Sequence, residues 1–324
     1  MIANLEIKNF KSIRHLNFNC KRINLFIGEP NAGKSNILEA LSLFSFSKFG
    51  QIEDFIRLDS MNNLFRDENL DENISINADA NFLEVAFRND IFYGRCFNKE
   101  LEENEFFNFA FDYKMRGSRN LNNEPFPIRP YKFIQKKDFY RKESDFLFPP
   151  YGDNLMGVLK SHKKMKKAVA DLFEPFGLRL VFRLQENKME IMKQQGNDII
   201  SFPYWLLSDT LQRIIFYTAA IDSNNDSILI FEEPESHSFP YYTKFLGEKI
   251  AFDDINQYFI ATHNPYLLMA ILEKAKRNSI NVFIAYFKDY ETKIKCLSDE
   301  QISELMNYDP FFNLEAFIEG NTCL

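Results

Sequence analysis

The sequence predicts a mixed α/β fold in which one strand, loop and helix unit near the start is met by two buried strands late in the chain. Three observations carry this. The apolar run Ile23-Asn24-Leu25-Phe26-Ile27 passes through Gly28-Glu29-Pro30-Asn31-Ala32-Gly33-Lys34-Ser35 into the helical pattern Asn36-Ile37-Leu38-Glu39-Ala40-Leu41. The runs Ser227-Ile228-Leu229-Ile230-Phe231 and Gln257-Tyr258-Phe259-Ile260-Ala261 are short and continuously apolar, as strands buried on both faces are. Between these regions, residues 74–113 alternate with the period of two that half-buried strands require.

Composition bounds what the chain can be. Its 324 residues are 45% hydrophobic with 36 Phe, enough to fill a large core in one big domain or two lobes. No run of about 18 apolar residues is present, and Met1-Ile2-Ala3-Asn4-Leu5-Glu6 lacks a signal-peptide design, so a cytoplasmic location without a membrane role is expected. Cys20, Cys96, Cys296 and Cys323 are scattered without CxxC pairs, which suggests neither a zinc site nor a disulfide framework. A net charge of −7 argues against a uniformly basic nucleic-acid binder but leaves room for a local basic patch.

Residues 28–35 fit G-x-x-x-x-G-K-[ST] in the strand and helix context that a phosphate-binding loop needs. Glycines let successive backbone N–H groups converge, with the positive end of the following helix, on a phosphate. Gly28, Glu29, Pro30, Asn31, Ala32, Gly33 and Asn36 would form the cradle, Lys34 would reach the β- and γ-phosphates, and Ser35 would offer its hydroxyl to Mg²⁺. ATP and Mg²⁺ are the ligands this chemistry expects.

Taken in order, residues 4–10 and 16–19 alternate as two short strands, with Lys11 and Arg14 between them as solvated surface charges. Residues 45–70 are loop-like and helical and contain Gln51. Four strand patterns over 74–113, with the turn-prone Asn89-Asp90, predict an antiparallel meander forming an inserted β-rich lobe whose phenylalanines are core. Residues 130–135 suggest one more strand, and Pro149-Pro150-Tyr151-Gly152 marks a turn. Residues 159–173 predict one helix carrying Lys160, Lys163, Lys164, Lys166 and Lys167, a solvated face unless it borders a groove that takes DNA phosphates. Residues 178–182 and 189–192 predict a hairpin, and Ser208 is placed to cap a helix running to about Ile221.

The strand at 227–231 ends in Glu232-Glu233-Pro234-Glu235, as a Walker B strand does. One carboxylate there can hold Mg²⁺ and the next can orient or deprotonate a water. The strand at 257–261 ends in Thr262-His263, at the strand edge where α/β sheets bind ligands, which favours a γ-phosphate contact for His263; for His237 structural and functional roles balance.

The order of these segments resembles the ABC-type ATPase layout. Leu5-Glu6-Ile7-Lys8-Asn9-Phe10-Lys11-Ser12, Gly33-Lys34-Ser35-Asn36, Glu232-Glu233-Pro234-Glu235-Ser236-His237 and Ala261-Thr262-His263-Asn264-Pro265 look like the RecF/SMC-related group, and in particular the ATPase part of the OLD (overcoming lysogenization defect) family and its free-standing relatives in prokaryotic defence loci. The resemblance implies a P-loop NTPase with an ABC ATPase-like head, an inserted antiparallel β-rich lobe and helical segments. It makes 1–324 one domain, with a phosphate-loop half at 1–50, a β/helical lobe at 70–200 and a signature, Walker B and histidine half at 201–324. It implies a head-to-head homodimer, or a larger homo-oligomer, with two ATP molecules between subunits, each phosphate loop facing Ser208 and Thr210 of the other chain. Lys34 would bind phosphate, Ser35 and Glu232 would hold Mg²⁺, Glu233 would act as general base, His263 would contact the γ-phosphate, and Gln51 or Gln135 would stand near the metal. Thr210 replaces the usual signature glycine, which predicts slow hydrolysis, and Glu232 replaces the usual Asp.

Without heptads, the chain is not a coiled-coil SMC protein. Phe317-Ile318-Glu319-Gly320 resembles the opening of a Toprim nuclease domain, but four residues remain after it, so any effector such as a nuclease is expected to be a separate protein. The implied function is an ATPase whose nucleotide-driven dimerisation or conformational change regulates that partner in antiphage defence. The alternatives are a RecF-like DNA repair ATPase and a scaffold that binds ATP with little hydrolysis.

Overall fold

The computed structural model describes residues 1–100, 105–123, 127–139, 144–183, 185–307 and 314–319. The end of the Phe317 to Gly320 segment therefore lies outside the described residues. The chain opens with β1 (Asn4–Phe10), β2 (Ile13–Asn19) and β3 (Ile23–Ile27), then α1 (Lys34–Ser42) and the one-turn helices α2 (Phe46–Phe49) and α3 (Ile52–Phe55). A run of strands follows: β4 (Ile74–Ala78), β5 (Asn81–Arg88), β6 (Ile91–Asn98), β7 (Glu105–Phe111), β8 (Gly117–Leu121) and β9 (Ile128–Tyr131). Helices α4 (Leu155–Ser161) and α5 (Lys163–Phe173) lead to β10 (Leu178–Arg183), β11 (Lys188–Gln195) and β12 (Asp198–Pro203). The last part alternates α6 (Asp209–Ser223), β13 (Ile228–Glu232), α7 (Pro240–Phe252), β14 (Gln257–Ala261), α8 (Pro265–Lys274), β15 (Ile280–Lys288) and β16 (Glu291–Cys296), ending in α9 (Asp299–Asn307) and α10 (Leu314–Glu319).

Two large sheets organise these elements. Six strands run in the order β16-β15-β3-β14-β13-β9, parallel except for the β15–β16 hairpin. Residues of β3 alternate between its two faces: Ile23, Leu25 and Ile27 join the core under the helices, whereas Phe26 joins the core shared with the second sheet. That second sheet is antiparallel, in the order β2-β1-β4-β5-β6-β7-β8. The β-rich stretch expected as an inserted lobe thus extends the sheet begun by β1 and β2, because β1 pairs with β4 through Leu5 with Ala78 and Ile7 with Ile76. One edge of β1 takes β2; the other was left for β4.

α1 lies between the sheets, packing on β13, β14 and β9 on one side and on β1 on the other. Phe26 stacks on Phe283 and Phe259, with ring centroids 5.1 and 6.5 Å away, and Phe18 of β2 meets Phe283 edge-on at 4.9 Å. The three-stranded sheet β10-β11-β12 confirms the expected hairpin and adds a strand to it. The single helix expected over 159–173 is two helices, split at His162, whose backbone is extended. Ser161 Oγ donates back to the carbonyls of Gly157 and Val158, and such bonds compete with helix continuation.

Phe26 links both sheets, so Phe26→Ala should cost about 3–5 kcal/mol. Urea unfolding of the variant would show it as a lowered midpoint with an unchanged slope.

Candidate functional site

Since β3, β14 and β13 are adjacent and parallel, the turns that follow them share one sheet edge. The loop after β3 bends through Gly28 at φ +146, Asn31 at φ +60 and Gly33 at φ +90. A Cβ on Gly28 would lie 2.1 Å from the carbonyl oxygen of Ala285 on β15, and one on Gly33 would lie 1.9 Å from Thr292 Oγ1 on β16. Both glycines are therefore required by the close approach of the β15–β16 hairpin as well as by the turn itself. Thr292 Oγ1 also pairs with Ser12 Oγ at 2.6 Å, and Asn36 Nδ2 donates to Ser12 Oγ at 2.7 Å, tying the loop to the turn between β1 and β2.

Lys34 Nζ donates to the carbonyls of Gly28 and Glu29 at 2.8 Å each. Burial lowers its pKa, against the opposing pull of Glu233, Glu232 and Glu29. The Ser35 hydroxyl donates to the Glu232 carboxylate. Next along the edge, Glu233 takes a left-handed φ of +44, and its N–H donates to the Ala261 carbonyl at 2.8 Å. Its Oε1 meets His263 Nδ1 at 2.9 Å and its Oε2 accepts from Ser236 Oγ at 3.2 Å. Both side chains of the pair are open to solvent, Glu233 at 41% and His263 at 60% exposure.

A cavity of about 620 Å³ is lined in part by Pro30 to Asn36, Glu232, Glu233, Ser236 and His237, whereas His263 reaches it only through Glu233. Its wall also carries Arg57, Lys132 and Arg213, which the sequence reading missed. Arg57 and Lys132 lie outside helices and strands, where no periodicity marks them. Glu39, buried on α1, organises this cationic side: its carboxylate takes Arg57 Nε at 2.7 Å and also Lys11 Nζ. Arg57 then reaches to 3.6 Å from Glu232. Lys11, expected as a solvated surface charge, is instead largely buried, paired with Glu39 and donating to the Arg57 carbonyl at 2.6 Å. The acid on the inner face of the α1 pattern was the available signal for its partner. Arg14 is exposed, as expected.

Ser208 caps α6, accepting from the Leu211 N–H at 3.4 Å, and Thr210 Oγ1 donates to the His237 carbonyl at 3.1 Å. Neither residue lines the cavity, although Arg213 of the same helix does. Gln51 stands exposed before α3, and Gln135 donates to the Trp205 carbonyl; neither lines the cavity.

The donor set fits a hard divalent cation, because Ser35 and Glu232 bring two oxygens into contact, as neighbouring ligands of one Mg²⁺ would be. Among the described residues no cluster of three or more His, Cys, Asp or Glu forms a closed metal centre, so such an ion would complete its shell with phosphate or water oxygens. The N-terminus of the nine-residue α1 and the cations around the cavity fit a polyanion.

Behind the Glu233–His263 pair, Glu235 is buried at 2% exposure. It accepts from Thr262 Oγ1 at 2.5 Å. Burial pushes its carboxyl up to about 7, against the Thr262 hydrogen bond and the His263 charge.

The AAA ATPase domain family matches the chain over residues 1–201. The chain is 51% identical over 51 residues to an uncharacterised protein of Methanocaldococcus jannaschii, MJECL10, a match that spans 15% of this chain and 23% of the length of that relative. An SMC head solved bound to the C-winged helix domain of ScpA aligns over 94% of this chain and 99% of its own, at 14% identity and a TM-score of 0.52. An SMC head from Thermotoga maritima aligns over 92% and 99%, at 16% identity and a TM-score of 0.42. The fold is that of an SMC-head-like ABC ATPase, a P-loop NTPase of mixed α/β class. Among the described residues no helix is long and apolar enough to cross a membrane.

Glu235 makes stability depend on pH. Its folded carboxyl holds a proton more tightly than an unfolded one, so its contribution is full below the ordinary value of 4.5 and is lost as pH rises through about 7. At about 1.4 kcal/mol per pH unit, the loss is roughly 3 kcal/mol. Denaturant midpoints followed over this range should fall for the wild type relative to Glu235→Gln; parallel curves would refute the assignment.

Proposed function

The chain belongs to the AAA ATPase domain family, and from that membership we propose that it binds Mg-ATP at the edge of the six-stranded sheet, hydrolyses it between two copies of itself, and uses the nucleotide state to regulate a separate effector. In this reading 1–324 works as one ABC-like domain, its phosphate-loop part at 1–50 and its signature, Walker B and histidine part at 201–324 building the site around the lobe at 70–200. Gly28 to Asn36 cradle the phosphates and Lys34 leaves its loop carbonyls to meet them. Ser35 and Glu232 hold Mg²⁺, whose charge offsets that on the phosphate oxygens. Glu233 takes the proton of the attacking water as its oxygen bonds to the γ-phosphorus and the bond to the bridging oxygen breaks, releasing ADP and phosphate. His263 orients Glu233 and faces the γ-phosphate.

The observation that carries the proposal is the meeting, at one cavity, of the Ser35–Glu232 contact and of Glu233, which His263 holds from outside the cavity lining. The exposure of that pair supports a second copy, since phosphoryl transfer is favoured where water is excluded. Ser208 and Thr210 of the partner copy would complete the site, with slow turnover because Thr210 stands where a glycine permits closer backbone approach. The role in antiphage defence rests on the resemblance of the four motif segments to OLD-type ATPases. A second reading, DNA binding, draws on Lys163, Lys164, Lys166 and Lys167, which stand exposed on α5, of which Lys166 lines a groove together with Arg179, Asp171 and Glu174. Gel-shift binding to duplex DNA that vanishes when the four lysines are neutralised would favour it.

Glu233→Gln should lower ATP turnover by about a hundredfold or more while leaving nucleotide binding intact. Light scattering of that variant should show a doubled mass with Mg-ATP. Equal turnover of variant and wild type would sink the enzyme reading, and an unchanged monomer would sink the sandwich. Lys34→Ala should abolish binding of a fluorescent ATP analogue.

A further inference from the structure

Glu235 is the one acid of the 232–235 segment buried away from the cavity, and its surroundings are unusual for a structural carboxylate. Its Oε1 accepts from Thr262 Oγ1 at 2.5 Å, but its equally buried Oε2 has no hydrogen-bond partner among the described residues. An uncompensated buried oxygen costs stability, and an apolar side chain of similar volume would avoid that cost. The contact it makes instead is specific. Thr262 is fully buried, immediately precedes His263, and its Oγ1 accepts the N–H of Asn264 at 3.0 Å. Thr262 N–H in turn donates to Phe26 on β3 at 3.1 Å. On its other side, the Glu235 carbonyl accepts the Ser238 N–H at 2.9 Å, closing the turn that begins at the strained Glu233.

We infer that Glu235 is a positioning residue: through Thr262 it locks the turn bearing His263 to the turn bearing Glu233, so that the Glu233–His263 pair is set before nucleotide arrives. This rests on the ATPase reading above for its catalytic consequence, but the tie itself is a property of this chain alone. Without it, among the described residues the two turns are joined at the site by the Glu233 N–H to Ala261 bond and by the exposed Glu233–His263 contact, and exposed contacts of this kind hold geometry weakly.

The test compares Glu235→Ala, Glu235→Gln, Thr262→Val, Thr262→Ser and the double variant Glu235→Ala/Thr262→Val, with Glu233→Gln as reference. If the tie positions the pair, Glu235→Ala and Thr262→Val each lower kcat about tenfold or more with KM for ATP held within about twofold, and the double variant is no worse than either. Glu235→Gln and Thr262→Ser, which keep an acceptor and a hydroxyl, restore most of the rate. The ring resonances of His263 in histidine-labelled protein supply a readout independent of turnover: they should move in Glu235→Ala and Thr262→Val and stay in place in the conservative variants, with His15 and His162 on other elements as references. Unmoved His263 resonances, additive losses, or Gln performing no better than Ala would each overturn the inference. A wild type no faster than Glu233→Gln would instead defeat the ATPase reading, and the His263 resonances would still decide whether the tie exists.

Discussion

The placement of β14 between β3 and β13 is the constraint on which the rest depends. Three parallel strands in that order put the phosphate loop, the Thr262-His263 turn and the Glu232-Glu233 end along one edge, with no loop having to travel far. β14 also sets distances: it separates the phosphate loop from the acids by one strand, which Ser35 spans from the start of α1 to reach Glu232. A parallel sheet needs both faces covered to be stable, and here helices cover one face while α1 and the antiparallel sheet cover the other.

Charge is concentrated where that architecture leaves it least solvated. Glu39 and Glu235 are both carboxylates at 2% exposure, and they solve the problem differently. Glu39 is matched by Lys11 and Arg57, so its buried charge is paired and in turn holds Arg57 at the cavity wall. Glu235 has no cation in contact among the described residues, only neutral donors in the Thr262 hydroxyl and its own backbone N–H, and its carboxyl is pushed up to about 7. One acid builds the electrostatic character of the site, whereas the other bears on its geometry.

Much of the parallel sheet was legible because its signals are local. The 28–35 loop, the apolar run into Glu232 and the run into Thr262 each fall within a dozen residues, and strand burial follows directly from their continuous apolarity. The β1 to β4 pairing was not legible, since an alternating strand advertises a buried face but not which partner takes its edge. Arg57 and Lys132 escaped notice for a related reason: they come from irregular segments far from the loop in sequence, and only the fold delivers them to it. The burial of Lys11 is likewise not written locally, because its partner Glu39 lies on another element, α1. The break at His162 depends on a serine hydroxyl bonding backward, which a helical pattern of side chains does not record.

The contact between Gly33 and Thr292 has an evolutionary reading. The space a Cβ would need at Gly33 is filled by the Thr292 side chain, so a residue on the last strand of the sheet is held in step with the loop motif near the start of the chain. A bulkier residue at 292 would press on the loop as surely as a substitution at 33. The geometry of the loop thus depends on a position that carries no motif, and substitutions at the two sites are expected to be coupled.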